Sequence, residues 1–313
     1  MKSGRNKTID LPLGQGQAEL SRCIEISSPQ TLDAVRDRVI LGDAFAALPL
    51  LPAACADLLI VDPPYNLTKD FHGSAFSAMS NEDYADYTER WIALTKPLLK
   101  PNASVYVCCD WRSSPVVGLA LQGHFTVRNR ITWQREKGRG AERNWKNSME
   151  DIWFATVGED YTFRVEDVMQ RRRVIAPYRE DGAPKDWEET AEGAFRNTRP
   201  SNFWDDITVP YWSMPENTPH PTQKPEKLLA KLILASSNPG DLVLDPFGGA
   251  GSTAVTAKKL NRHFITVEQN AQYCVWAQVR LERAETDRAI QGYTDGVFWE
   301  RNTLAAQKKR RKG

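Results

Sequence analysis

Much that would set this chain apart from ordinary globular proteins is missing from it. No apolar run approaches the roughly 20 residues that a membrane-spanning helix needs. The opening stretch MKSGRNKTIDLPLGQGQ carries no apolar core of the kind found in a secretory leader. Cysteine is scarce, with five in 313 residues, an odd number without framework spacing, which predicts reduced thiols in a cytoplasm and not a disulfide scaffold. Neither C-x-x-C nor H-E-x-x-H occurs, so no metal site is expected. An excess of one charge is missing as well: 41 basic residues face 40 acidic ones, which argues neither for nor against a polyanionic partner. With 19 Gly and 19 Pro, neither a collagen repeat nor wholesale disorder is possible. What remains, 41% apolar and 26% charged residues, is a soluble globular composition.

The charges are sorted into blocks that the total hides. Residues 128–146 hold seven basic side chains, among them Arg135, Lys137, Arg139, Arg143 and Lys146, against two acidic ones. Arg171, Arg172 and Arg173 follow, then an acidic stretch over 180–192, and the chain ends in the basic run 308–312. Residues 1–38 are polar and aperiodic, which predicts a mobile N-terminal arm. From Val39 to Trp133, short apolar strands (39–41, 57–61, 104–109, 126–133) alternate with helical patterns (81–99, 115–122). The alternation fails over 135–217, apart from a strand at 151–157, and returns over 218–286 with helix 226–236, strand 242–245, helix 252–260, strand 264–268 and helix 271–285. Such alternation predicts an α/β domain with a mainly parallel twisted sheet, split by an irregular insert and followed by a basic tail over 287–313.

Two motifs carry chemistry. The first is Leu-Val-Leu-Asp245-Pro-Phe247-Gly248-Gly249-Ala250-Gly251-Ser252-Thr-Ala254, a strand, a glycine turn and a helix start. Gly249, Gly251 and Ala254 match G-x-G-x-x-G/A, the fingerprint of a Rossmann nucleotide site. Glu268 follows 19 residues after Gly249 at the end of the next strand, where a carboxylate can accept both ribose hydroxyls. A nicotinamide-dependent oxidoreductase would explain this loop equally well. The second motif, Asp62-Pro63-Pro64-Tyr65, ends a buried strand. Proline lacks an N–H and fixes φ, so the doublet stops the strand sharply and leaves carbonyl oxygens without neighbouring donors. A carboxylate, a carbonyl and an aromatic face then converge on one spot. That set suits an exocyclic NH2 on a flat heterocycle, whose two hydrogens can be held while its ring is stacked. An oxidoreductase has no use for this corner.

Together these motifs, with His220-Pro221-Thr222-Gln223-Lys224-Pro225, resemble the S-adenosylmethionine-dependent amino DNA methyltransferases. The order is catalytic corner, variable insert, then cofactor loop, which is similar to the beta class of that family. The resemblance covers about residues 39–286 and implies a Rossmann-like methyltransferase fold, circularly permuted, with its inserted recognition region at 135–217. It implies that Asp62 and the Pro63 carbonyl accept hydrogen bonds from the target amine, that Pro64 shapes the turn, and that Tyr65 stacks on the base. Asp43, Asp62, Thr222, Lys224, Asp245, Phe247, Gly248, Gly249, Ala250, Gly251, Ser252 and Glu268 are the implied cofactor contacts. Asp at the head of the corner favours adenine N6 over cytosine N4. Where many relatives have Gly-Ser-Gly-Thr, this loop reads Gly249-Ala250-Gly251-Ser252, small changes that leave backbone approach intact.

A target inside a duplex must be flipped out to reach a recessed corner. For DNA, Arg135, Lys137, Arg139, Arg143, Lys146 and Arg171–Arg173 are the expected phosphate contacts. The competing expectation pairs these arginines with the acidic stretch 180–192. The resemblance further implies double-stranded DNA as substrate, a homodimer and, in a restriction-modification setting, a companion restriction endonuclease. A non-catalytic DNA-binding relative is the remaining alternative, and the intact corner argues against it.

Overall fold

Short apolar runs bounded by turn residues become the strands of one twisted sheet. The computed structural model describes residues 5–71, 74–135, 142–174, 178–190, 193–301, 303 and 307. The strands of the two larger sheets are, in chain order, β1 (Arg38–Leu41), β2 (Ala56–Val61), β3 (Leu99–Cys109), β4 (Thr126–Gln134), β5 (Met149–Thr156), β6 (Gln170–Arg173), β7 (Glu188–Thr190), β8 (Gly193–Thr198), β9 (Phe203–Trp204), β10 (Leu242–Asp245), β11 (His263–Glu268), β12 (Tyr293–Thr294) and β13 (Val297–Trp299). The longer helices are α1 (Asn81–Thr95), α2 (Ser114–His124), α3 (Glu226–Ser236), α4 (Ser252–Lys259) and α5 (Ala271–Thr286).

The main sheet runs β1-β11-β10-β2-β3-β5-β4-β9. Its first five strands are parallel, and β5 alone runs antiparallel to both of its neighbours. Strands 2 and 10, far apart in sequence, lie side by side with Leu58 opposite Val243. The carboxyl ends of β2, β10 and β11 therefore share one edge, the place where open α/β sheets bind ligands. Because β5 is reversed, its first residues, Met149 and Glu150, come to that same edge.

Helix α3 is buried along its whole length. One side packs on the main sheet through Leu228, Leu229, Leu232 and Ile233, and the other meets Phe298, Ile290 and Val168. Its polar positions are matched internally. Glu226 accepts from Arg280 at 3.0 Å and Lys259 at 2.7 Å, while Lys227 and Lys231 both meet Asp206 at 2.7 Å.

Three expectations about the periphery need correction. The segment expected to be a mobile arm is laid along the body from residue 5 onward. Ile9 is buried with Ala250, Tyr273 and Trp276, the Leu11 carbonyl accepts from Gln272 and Trp276, and Ile24 bridges to Ile40 on β1. Single anchors and backbone-to-side-chain bonds hold it, which leaves no periodicity to read. The insert is not merely irregular, since β6–β8 form a small sheet. The tail is not merely basic either: β12 and β13 complete that sheet in the order β7-β8-β6-β13-β12. Lys308–Lys312 lie outside the described residues.

Gly251 has φ +73°, and a Cβ there would stand 2.6 Å from the Ala277 Cβ on α5. Its place is fixed by packing of the loop on α5. Gly251→Ala should cost roughly 1–3 kcal/mol through strain and overpacking. Chemical denaturation of the variant checks this.

Candidate active site

The expected corner and the expected loop line one cavity of about 410 Å³, within the usual range for a small-molecule site. Asp62, Pro63, Pro64 and Tyr65 stand on one side, and Asp245, Phe247, Gly248, Gly249, Ala250 and Ser252 on another. Asp43, Thr222, Lys224 and Glu268 also face it. Gly251 does not line it, for the packing reason above.

Local rules explain how each wall is built. Asp245 ends β10 and accepts the Phe247 N–H at 3.0 Å, which tightens the turn. Glu268 ends β11 and takes the Gly249 N–H on one oxygen and the Asn270 N–H on the other, both at 2.7 Å. A carboxylate has about four acceptor positions, so it retains capacity for hydroxyls. Asp43 caps the turn Ala44–Ala47 by accepting from the Phe45 N–H at 3.2 Å. In the corner, Tyr84 donates to the Pro64 carbonyl at 3.0 Å, while the Pro63 carbonyl has no donor among the described residues. Asn66 exchanges two hydrogen bonds with the backbone of Met79, which pins the chain leaving the corner.

The charges in the corner interlock. Lys224 Nζ donates to Asp62 Oδ1 and Oδ2, each at 2.7 Å, and to the Tyr65 hydroxyl at 3.0 Å. The Tyr65 hydroxyl in turn reaches Asp62 Oδ1 at 3.0 Å and Glu150 Oε2 at 3.1 Å. Arg135 donates to the other oxygen of Glu150. Two carboxylates thus face two cations directly, and Lys69 is a third basic group on the cavity wall, its pKa pushed down by burial and then by Arg135 and Lys224. Burial opposes the charge on Lys224, but Asp62 and then Glu150 outweigh it and hold the ammonium above an ordinary lysine. Burial, then Asp62 and Glu150, push the Tyr65 phenol well up, so it stays a donor. Burial also pushes Asp62 up, with Lys224 pulling it back. Across the cavity, burial raises Asp245 to about 7, although Thr253 and the Phe247 N–H favour its ionised form.

The basic residues divide differently from the expectation. Arg135 lines the cavity and pairs with Glu150. Arg171 is 3% exposed, paired with Glu188 at 2.7 Å and flanked by the Phe195 and Trp299 rings, so no phosphate reaches it. Strand β6 is part of a packed sheet, and pairing with the acidic stretch 180–192 accounts for this arginine. Arg172 pairs with Asp205 at 3.3 Å, and Arg173 lies over the Phe195 ring. Arg143 and Lys146 are exposed close to the cavity-lining Asn147. Lys137 and Arg139 lie outside the described residues. Sequence reasoning missed Glu150. It began strand 151–157 after this residue and had no means of knowing that the strand is reversed, which is what carries Glu150 to the corner.

The chain is similar in sequence and in fold to known DNA methyltransferases. The chain is 35% identical over 249 residues to the DNA adenine methyltransferase YhdJ of Escherichia coli, covering 79% of this chain and 83% of that one. It is 33% identical over 248 residues to the type II methyltransferase M.HpaI of Haemophilus parainfluenzae, with coverage of 78% and 74%. Among solved structures, the M1.HpyAVI–SAM complex matches with TM-score 0.51 and 26% identity over 78% of this chain and 98% of that one. The cytosine-N4-specific PvuII DNA methyltransferase shares the fold, with TM-score 0.59 at 16% identity over 79% of this chain and 89% of that one. A family model described as DNA methylase, for the N6 and N4 enzymes, matches residues 56–279, and the chain belongs to that family.

Proposed function

We propose that this methyltransferase moves the methyl group of S-adenosylmethionine to the N6 amino group of an adenine extruded from double-stranded DNA. The observation that carries the proposal is the common cavity of Asp62-Pro63-Pro64-Tyr65 and the Asp245–Ser252 loop. The donor set fits the cofactor. Asp62, Asp245 and Glu268 offer anionic surroundings to a ligand bearing sulfonium and ammonium charges, and Glu268 retains acceptor capacity for ribose hydroxyls. When bound, the cofactor supplies an electrophilic methyl. The protein then has to align the amine and hold its hydrogens, and proximity provides much of the acceleration. Asp62 and the Pro63 carbonyl accept the two amine hydrogens, which returns lone-pair density to nitrogen, and the ring of Tyr65 stacks on the base. As the N–C bond forms, the methyl–sulfur bond breaks to leave S-adenosylhomocysteine, and nitrogen releases a proton toward Asp62.

Incubation with methyl-labelled S-adenosylmethionine and duplex DNA, followed by digestion to nucleosides, tests the proposal. Label in N6-methyl-2′-deoxyadenosine supports it, and label in N4-methyl-2′-deoxycytidine replaces the target. The same proposal carries a cytoplasmic location, a homodimer (tested by sedimentation) and a companion restriction endonuclease.

The raised value of Asp245 has a consequence for binding. Folding holds its proton up to about pH 7, against 3.8 for a free carboxyl, so this group's contribution to stability is lost as pH rises through that window. A cationic ligand beside it draws the value down and expels the proton. Calorimetry in buffers of differing ionisation heat should therefore show up to about one proton released per S-adenosylmethionine bound near pH 6.5, fading above about pH 8. Asp245→Asn should abolish the release.

A further inference from the structure

We propose that Glu150 is a positioning residue for methyl transfer: the second carboxylate that receives the Lys224 ammonium when the target amine claims Asp62. The inference rests on the assignment of Asp62 to the target amine made above.

Counting hydrogens leads to it. The three N–H groups of Lys224 are directed at Asp62 Oδ1, Asp62 Oδ2 and the Tyr65 oxygen. The ammonium therefore holds both carboxylate oxygens at the place a target amine must approach. An arriving amine needs acceptor capacity on Asp62, so Lys224 has to yield part of its hold. A buried ammonium stripped of its partner is costly, on the order of several kcal/mol, and Lys224 is only 7% exposed. Besides Asp62, the carboxylate oxygen within ion-pair distance among the described residues is Glu150 Oε2, at 3.4 Å. A shift of well under an ångström on the lysine's flexible stem closes that gap to a hydrogen bond.

Glu150 is built to stay still while this happens. It lies on β5 with Trp133 of β4 opposite, is 4% exposed, and has Arg135 on its other oxygen. Tyr65 has a single proton to give. Asp62 Oδ1 already accepts from Lys224 at 2.7 Å, whereas the same ammonium stands 3.4 Å from Glu150 Oε2. Donation to Glu150 fixes the tyrosine hydroxyl, and with it the plane of the ring expected to stack on the base. The shift moves no charge into or out of the corner, since the ammonium passes from one carboxylate to the other.

The test uses Glu150→Gln, which keeps the shape and the acceptor for Arg135 but removes the charge. Single-turnover methyl transfer to duplex DNA should slow by at least about 30-fold, while calorimetric affinity for S-adenosylhomocysteine and DNA affinity by fluorescence anisotropy stay within about threefold. In a Lys224→Met background, which has no charge to hand over, Glu150→Gln should cost no more than about threefold further. Glu150→Asp should recover part of the lost rate. The inference is overturned if Glu150→Gln turns over at the wild-type rate, if its loss is explained by weakened binding or a lowered melting temperature, or if the full loss persists without Lys224. Asp62→Ala run in parallel separates the two levels. A fully active Asp62→Ala sinks the assignment of the corner, whereas an inactive Asp62→Ala beside a fully active Glu150→Gln sinks only the role of Glu150.

Discussion

Asp62→Ala should reduce kcat for DNA methylation by at least roughly 10²–10³-fold, the scale seen when one electrostatic stabiliser of a transition state is removed. The expected loss is large for two reasons. The carboxylate that accepts the amine hydrogens and the departing proton disappears. In addition, Lys224, held by both Asp62 oxygens at 2.7 Å, is left to Glu150 and Tyr65 beside an electrophilic centre. Binding should survive, because the remaining cavity wall from Asp245 to Ser252 does not depend on Asp62 for its hydrogen bonds. Steady-state kinetics should therefore show the loss in kcat with DNA affinity within about threefold. A loss confined to KM would instead make Asp62 a ground-state binding group.

The second large effect concerns stability and lies away from the cavity. Asp206 reaches the main body from the insert and faces both Lys227 and Lys231 of α3 at 2.7 Å. Lys227 also donates to the carbonyls of Asp206 and Trp299, so the pair ties insert, helix and β13 together. Asp206→Ala leaves two buried ammonium groups without their carboxylate, at a cost of about 3–5 kcal/mol. The sign of the pH dependence follows from the lysines. Burial lowers Lys231 to about 8 even though Asp206 opposes it, so the folded protein gives up this proton more readily than the unfolded chain. Removing Asp206 lowers the Lys231 pKa further, so the variant begins to gain stability from the neutral lysine at a lower pH than the wild type, and its deficit should shrink as pH rises toward about 8 and level off above it. Denaturant titration at pH 7 and pH 9 measures both quantities. A deficit below about 1 kcal/mol at pH 7 would mean that the lysines find other partners.

The parallel core was legible because each of its strands is a short apolar run with a sharp stop. Residues 242–245 and 226–236 were bounded to the residue, since Pro225, Asn238-Pro239-Gly240 and the glycine loop punctuate them. The two halves of the cavity were legible for a related reason: both motifs sit at carboxyl ends of parallel strands, and in such sheets those ends meet. Periodicity could not reveal pairing across sequence distance. Strand β13 joins β6 through Phe298 opposite Gln170, although an Asp295-Gly296 turn with both residues at positive φ marks the β12–β13 hairpin in the sequence. Nor does a run of arginines announce which of them will be buried. Arg171 and Arg173 occupy alternate positions of one strand, and the fate of each depends on Phe195 and Trp299, which arrive from elsewhere in the chain.

Modification-resolved sequencing of DNA from cells producing the wild-type protein or Asp62→Ala addresses the corner most directly. The wild type should leave N6-methyladenine at one short recurrent sequence, and the variant should leave none. Equal methylation from both proteins would remove Asp62 from the chemistry and contradict the account.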